Sequence, residues 1–119
     1  MASAGISLWQ DSFAALQRVA ELADDWDGEG AMAPKPPIVA NARQTLEHLQ
    51  ELDLLTPSRI AAGPNGAIVI EWQHPSGYFE IEVAGSERIE WMMIRPHSVP
   101  VHGEELATFL PHLTAALAS

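Results

Sequence analysis

Residues 68–94 read IVIEWQHPSGYFEIEVAGSERIEWMMI, and the spacing of their apolar side chains decides the fold. Ile68, Ile70 and Trp72 alternate with Val69, Glu71 and Gln73. Phe79, Ile81 and Val83 alternate with Tyr78, Glu80 and Glu82, and Ile89, Trp91 and Met93 with Arg88, Glu90 and Met92. A two-residue period puts one set of side chains on each face of a strand, so three half-buried strands are expected. His74 to Gly77 and Gly85-Ser86 are the turns between them, and Gly63-Pro64-Asn65-Gly66 precedes the first. Arg59 to Ala62 reads as a short leading strand, and Pro96 and Pro100 end the sheet.

Directly opposed residues share a face, which sets the register. Matching Trp72 to Phe79 and Ile70 to Ile81 sets Glu71 opposite Glu80. Matching Val83 to Ile89 and Ile81 to Trp91 sets Glu82 opposite Glu90. Opposed like charges cost some tenths of a kcal/mol up to about 1 kcal/mol. A merely solvated face has no need of that cost, because Thr or Lys would serve. One reading is that these glutamates keep the face wet and discourage aggregation, with Arg88 or Arg95 compensating. The other makes Glu71, Glu80, Glu82 and Glu90 the first candidates for contact with a basic partner. Met92, Ile94 and Tyr78 add an apolar patch on the same outward face.

Outside the strands the period becomes helical. Trp9, Phe13, Leu16, Ala20 and Ala23, widened by Val19 and Leu22, stripe a helix over 7–23 with Ser7 as N-cap and Gln10 three residues later. Ile38, Ala42, Leu46, Leu49 and Leu52 stripe a second, with Pro36 and Pro37 in its first turn, ended by Thr56-Pro57. Leu106, Leu110, Leu113 and Leu117 stripe a third within 104–118, where Pro111 predicts a kink or two shorter pieces. The expected fold is α+β: two N-terminal helices, an antiparallel meander of three to four strands, and a C-terminal helix packed on one sheet face. The 119 residues suit a single domain, and no repeat or second unit interrupts 1–119.

Sixteen acids against six bases give a formal net charge of −10, with Lys35 the one lysine. That balance argues against direct nucleic-acid or membrane binding, since either needs clustered bases. Without cysteine there are no disulfides, thiolate metal sites or Cys nucleophile. Met1 to Gly5 carries no base, no unbroken apolar segment follows, and no window reaches the ~20 apolar residues that span a bilayer, so a cytoplasmic protein is expected.

Asp24-Asp25-Trp26-Asp27-Gly28-Glu29-Gly30 is the densest acidic cluster, placed where a helix C-terminus prefers cations. Asp25, Asp27 and Glu29 alternate ahead of Gly30 like half of a calcium loop, but the twelfth position is Pro36 instead of a bidentate Glu. Asx-type turns around a core Trp26 are one reading of this segment. A second makes Asp25, Trp26, Asp27 and Glu29 an aromatic contact rimmed by carboxylates. Trp26-Asp27-Gly28-x-Gly30-Ala31, followed by prolines, a helix, and Gly66 leading to Glu71-Trp72, resembles a group of small, mostly uncharacterised bacterial proteins. The likeness runs from about Trp26 to Val83; it implies a bacterial origin and one α+β unit, and carries over no activity and no functional residue.

No catalytic constellation emerges. His48, His74, His97, His102 and His112 form no His-x-x-x-His pair, and neither a Gly-x-Ser-x-Gly elbow nor a phosphate-binding loop is present. No catalytic residue, metal ligand or cofactor is assigned. The leading expectation is a non-enzymatic, acidic protein-binding module of inhibitor, antitoxin or immunity type, including phage or mobile-element anti-defence. It would occlude a basic protein surface, such as that of a nucleic-acid-binding protein. The alternatives are a small dimeric adaptor or chaperone-like protein using Tyr78, Met92 and Ile94, and a metal-dependent small enzyme using Asp25, Asp27 and a histidine.

Overall fold

The computed structural model describes Ala2–Ala118, with side chains from Leu8 onward. Its elements run α1 (Ala2–Ala20), α2 (Pro36–Glu51), β1 (Arg59–Ala62), β2 (Ile68–His74), β3 (Gly77–Val83), β4 (Ile89–Ile94), β5 (Val101–Gly103) and α3 (Leu106–Leu117). The strands form one antiparallel sheet in chain order, β1-β2-β3-β4-β5. The architecture is α+β as expected, with five strands instead of three to four. β5 went unread because it is three residues long, too short to display a period.

The register matches the apolar pairing. Trp72 faces Phe79, Ile70 faces Ile81, Ile81 faces Trp91 and Val83 faces Ile89. This inner face, buried at Ile68, Ile70, Trp72, Phe79, Ile81, Val83, Trp91 and Met93, receives all three helices. α1 lies against β1, α2 against β2 and β3, and α3 against β4. The two indoles on the sheet's inner face have acceptors for their N–H groups: Trp72 Nε1 donates to the Leu55 carbonyl at 2.9 Å and Trp91 Nε1 to Thr108 Oγ1 at 3.1 Å. Without those acceptors the interior would hold unpaired donors at the centre of the core.

The helices depart from the expected bounds in instructive ways. α1 begins five residues before Ser7, so Ser7 is helical backbone and not the N-cap. Ala2, Ser3 and Ala4 tolerate helix well enough to extend it. Trp9, Leu16 and Val19 are buried, whereas Ala23 lies past the helix end and is exposed. α2 opens on its two prolines, as read, but stops at Glu51 before the Thr56-Pro57 signal, leaving Leu52 as an exposed C-cap. α3 runs through Pro111 as one helix rather than two pieces. Its buried face is Phe109, Leu113 and Ala116, with Leu106, Leu110 and Leu117 only partly covered. The Leu stripe missed Phe109, whose ring stacks on Trp91 at a centroid distance of 4.8 Å and 20° between planes.

β5 is held close to β4 by Gly103, the partner of Trp91. A Cβ at Gly103 would overlap the indole of Trp91, so only glycine lets the strand approach. At the other end of the sheet, Gly77 adopts φ 142° in the β2–β3 turn, against the Ile94 carbonyl. Among the described residues no helix is long and apolar enough to cross a membrane.

Candidate functional site

Because all three helices pack on one face, the other face of β2, β3 and β4 is bare. Two cross-strand rows organise its centre. One is Arg59, Glu71, Glu80, Met92 and His102, reading from β1 to β5; the next is Ala61, Val69, Glu82 and Glu90, reading from β1 to β4. Glu71 is thus opposite Glu80, and Glu82 opposite Glu90, as the pairing argument requires. A third row sets Gln73, Tyr78 and Ile94 side by side.

The bases meet these acids only at the margins. Arg59 reaches Glu71 at 3.9 Å from a side chain that is 70% exposed, and Arg88 reaches Glu90 at 3.1 Å. Glu71 is itself largely buried, but the Arg59 guanidinium is solvated and the contact long, and the Arg88 pair is exposed at both ends, so both carry small energetic weight. Tyr78 Oη donates to Glu80 Oε1 at 2.8 Å. Burial, followed by that hydrogen bond and the charges of Glu80 and Glu71, pushes the phenol well above its ordinary pKa. Tyr78 is therefore a neutral donor on this face. Glu82 has no ion pair among the described residues. Its carboxyl is held above the usual range, first by burial and then by the charges of Glu90 and Glu80, with Arg88 pulling weakly the other way. An open cleft of about 490 Å³ runs over this area, lined by Glu80, Glu82, Glu90, Met92, His102 and Glu104.

The acidic loop after α1 is built differently. Asp27 Oδ1 accepts the N–H groups of Glu29 at 2.8 Å and Ala31 at 3.0 Å. Asp25 Oδ1 accepts from Gly30 at 2.7 Å, and Asp24 Oδ1 from Ala33 at 2.9 Å. Asp25 sits at φ 65°, a conformation aspartate tolerates better than most residues. The same N–H donors hold the Asp27 carboxyl below its usual pKa, since they favour the charged form. These carboxylates satisfy the loop's own backbone, which is how three aspartates persist after a helix end. Trp26 is half-buried instead of a core anchor, and its Nε1 donates to the Met32 carbonyl at 3.1 Å. Met32 N in turn donates to the Pro64 carbonyl at 2.9 Å, tying the loop to the β1–β2 turn.

The sequence candidates therefore fall into two groups. Glu71, Glu80, Glu82 and Glu90 converge on one surface, whereas Asp25, Trp26, Asp27 and Glu29 belong to a separate hydrogen-bonded loop. Three neighbours of the glutamates escaped the sequence reading: Arg59 as a marginal base, His102 from the unread β5, and the hydroxyl of Tyr78. Extending the register outward through β1 would have found Arg59; His102 has no comparable signal. Among the described residues no group of three or more His, Asp or Glu side chains converges to hold a metal ion. No family model, curated protein or solved structure matches the chain.

Proposed function

We propose that the bare sheet face binds a basic protein surface, and that the chain acts in the bacterial cytoplasm as an inhibitor, antitoxin or immunity-type module. The observation that carries this reading is the setting of Glu71 against Glu80 and Glu82 against Glu90 on three adjacent strands. Like charges placed directly across a ladder oppose the fold. Arginine or lysine groups from a partner would turn that repulsion into attraction on binding. A target whose basic groove normally holds nucleic acid would be occluded as its cations pair with these carboxylates. The net charge of −10 would speed encounter and make the on-rate fall with salt.

The same charge weighs against the dimeric-adaptor reading. Tyr78, Met92 and Ile94 do lie on this face, but a second copy laid over them would bring its own glutamates against these.

Titration of the isotopically labelled protein with an oligo-arginine peptide tests the proposal. Amide shifts should concentrate at Glu71, Glu80, Glu82 and Glu90, and affinity should fall steeply between low and high salt. Equal binding to a protein with all four changed to Gln, or affinity indifferent to salt, overturns it.

A further inference from the structure

Resting on that reading, we infer that the segment which docks on this face is a basic amphipathic α-helix. It would carry Arg or Lys at positions i, i+3 or i+4, and i+7, with apolar side chains between them. The backbone of the sheet supplies the first reason. β2, β3 and β4 each have a neighbouring strand on both sides, so their N–H and C=O groups are committed to the ladders. The bare face offers side chains only. At its centre these are four carboxylates with Val69 and Met92, and the Arg59, Arg88 and Tyr78 donors around them already bond Glu71, Glu90 and Glu80. An extended peptide laid over the carboxylates would lose water from its carbonyls and find few free donors. A helix satisfies its own backbone and can lie on such a face without that loss.

The second reason is spacing. Glu71 and Glu90 sit two strands apart and one row apart. Strand and residue spacings place their Cα atoms about 12 Å from each other along a diagonal of the face. Two turns of helix rise about 11 Å, so bases one heptad apart can meet both ends of that diagonal. Glu80 and Glu82, on the strand between, flank its midpoint and suit the intervening base at i+3 or i+4. The two remaining corners are Val69 and Met92, both half-buried. They would touch the apolar side chains to either side of the basic stripe. The acidic diagonal with an apolar side chain at each flank thus complements a helix in both charge and width.

Two synthetic peptides of identical composition test this against the chain as it stands. One places Arg at i, i+4 and i+7 of an Ala/Leu helix with a proline at its N-terminus; the other moves that proline to the centre, where it breaks the helix. Affinity is measured at low salt by calorimetry, helicity by circular dichroism, and location by amide shifts. The helical peptide should bind at least about tenfold more tightly, given the penalty for proline inside a helix. It should also gain helicity on binding and shift Val69, Glu80, Glu82 and Met92. Changing Glu80 and Glu82 together to Gln should remove most of the affinity, and because this relieves repulsion the variant will fold. Equal affinity of the two peptides at this face overturns the helical inference while leaving a basic partner in place. Absence of binding by either peptide at low salt, or shifts confined to the loop at 24–31, overturns both.

Discussion

Glu82 lies directly opposite Glu90 across β3 and β4, and the base within reach, Arg88, pairs with Glu90 at 3.1 Å and leaves Glu82 without an ion pair among the described residues. The arrangement reverses the usual practice of putting opposite charges across a ladder. It also explains why the Glu82 carboxyl is pushed up: the side chain is partly buried, and Glu90 and Glu80 lie beside it. Charge on this face is concentrated against the preference of the fold.

Replacing Glu82 with Gln should therefore stabilise the free protein. The amide keeps the shape and polarity of the side chain and removes one partner from a like-charge cross-strand pair. The gain should be about 0.5 kcal/mol, within the range for such pairs. Urea unfolding of the two proteins, compared at neutral pH and low salt, reads it directly. A loss of stability would mean that Glu82 makes a favourable contact in the fold. The same variant should bind an oligo-arginine peptide more weakly, so stability and affinity should move in opposite directions.

The pH dependence follows from two groups of opposite sign. The Glu82 carboxyl is raised above its ordinary 4.5, so the folded chain takes up that proton more readily than the unfolded chain. Its contribution to stability is complete below that ordinary value and is lost as pH rises through the raised one. Asp27 is held below its ordinary 3.8, so its contribution is present above 3.8 and lost as pH falls through the lowered value. Stability should rise on acidifying from neutrality and fall again in stronger acid. Urea midpoints across that range measure the curve, and Glu82→Gln should flatten its neutral-side rise.

Much of this face was legible in the sequence because strand alternation is strict where one side is buried. Pairing Trp72 with Phe79 fixes β2 against β3, pairing Ile81 with Trp91 fixes β3 against β4, and the glutamate partners follow from these two matches. Periodicity served less well on α3. There Leu106, Leu110, Leu113 and Leu117 make a regular stripe, yet of these only Leu113 is fully buried, beside Phe109 and Ala116. Which of two neighbouring helical faces is buried depends on a partner ring, Trp91, far away in the chain. The loop was ambiguous for a third reason. Carboxylates that bond their own backbone and carboxylates that wait for a partner have the same composition.

That ambiguity can be tested at Asp27. Changing it to Ala removes the acceptor of the Glu29 and Ala31 amides. Hydrogen exchange at those two amides should accelerate, because nothing else in the loop accepts from them. Shifts elsewhere should be small, and affinity for an oligo-arginine peptide should stay close to that of the parent. A large loss of peptide affinity with exchange unchanged would instead make the loop a contact surface.

Gly103 sets the position of β5 and hence of His102 beside the acidic face. A methyl group at 103 would overlap the indole ring of Trp91, which is itself pinned by its stack on Phe109 and its bond to Thr108. The ring cannot retreat without disturbing α3, so the strand must move instead. Gly103→Ala should cost about 1–3 kcal/mol, the usual penalty for overpacking a filled core. Urea unfolding measures the loss. In a folded fraction, the Trp91 indole proton and the His102 amide should shift together, because one displacement moves both. A neutral substitution would mean that β5 is held by its ladder bonds to β4 alone, with room to slide away from the ring. Gly85→Ala supplies the control, since a Cβ there meets the Arg88 Cβ at 3.4 Å and the Arg88 backbone N at 4.0 Å, both ordinary contact distances, and should leave the fold intact.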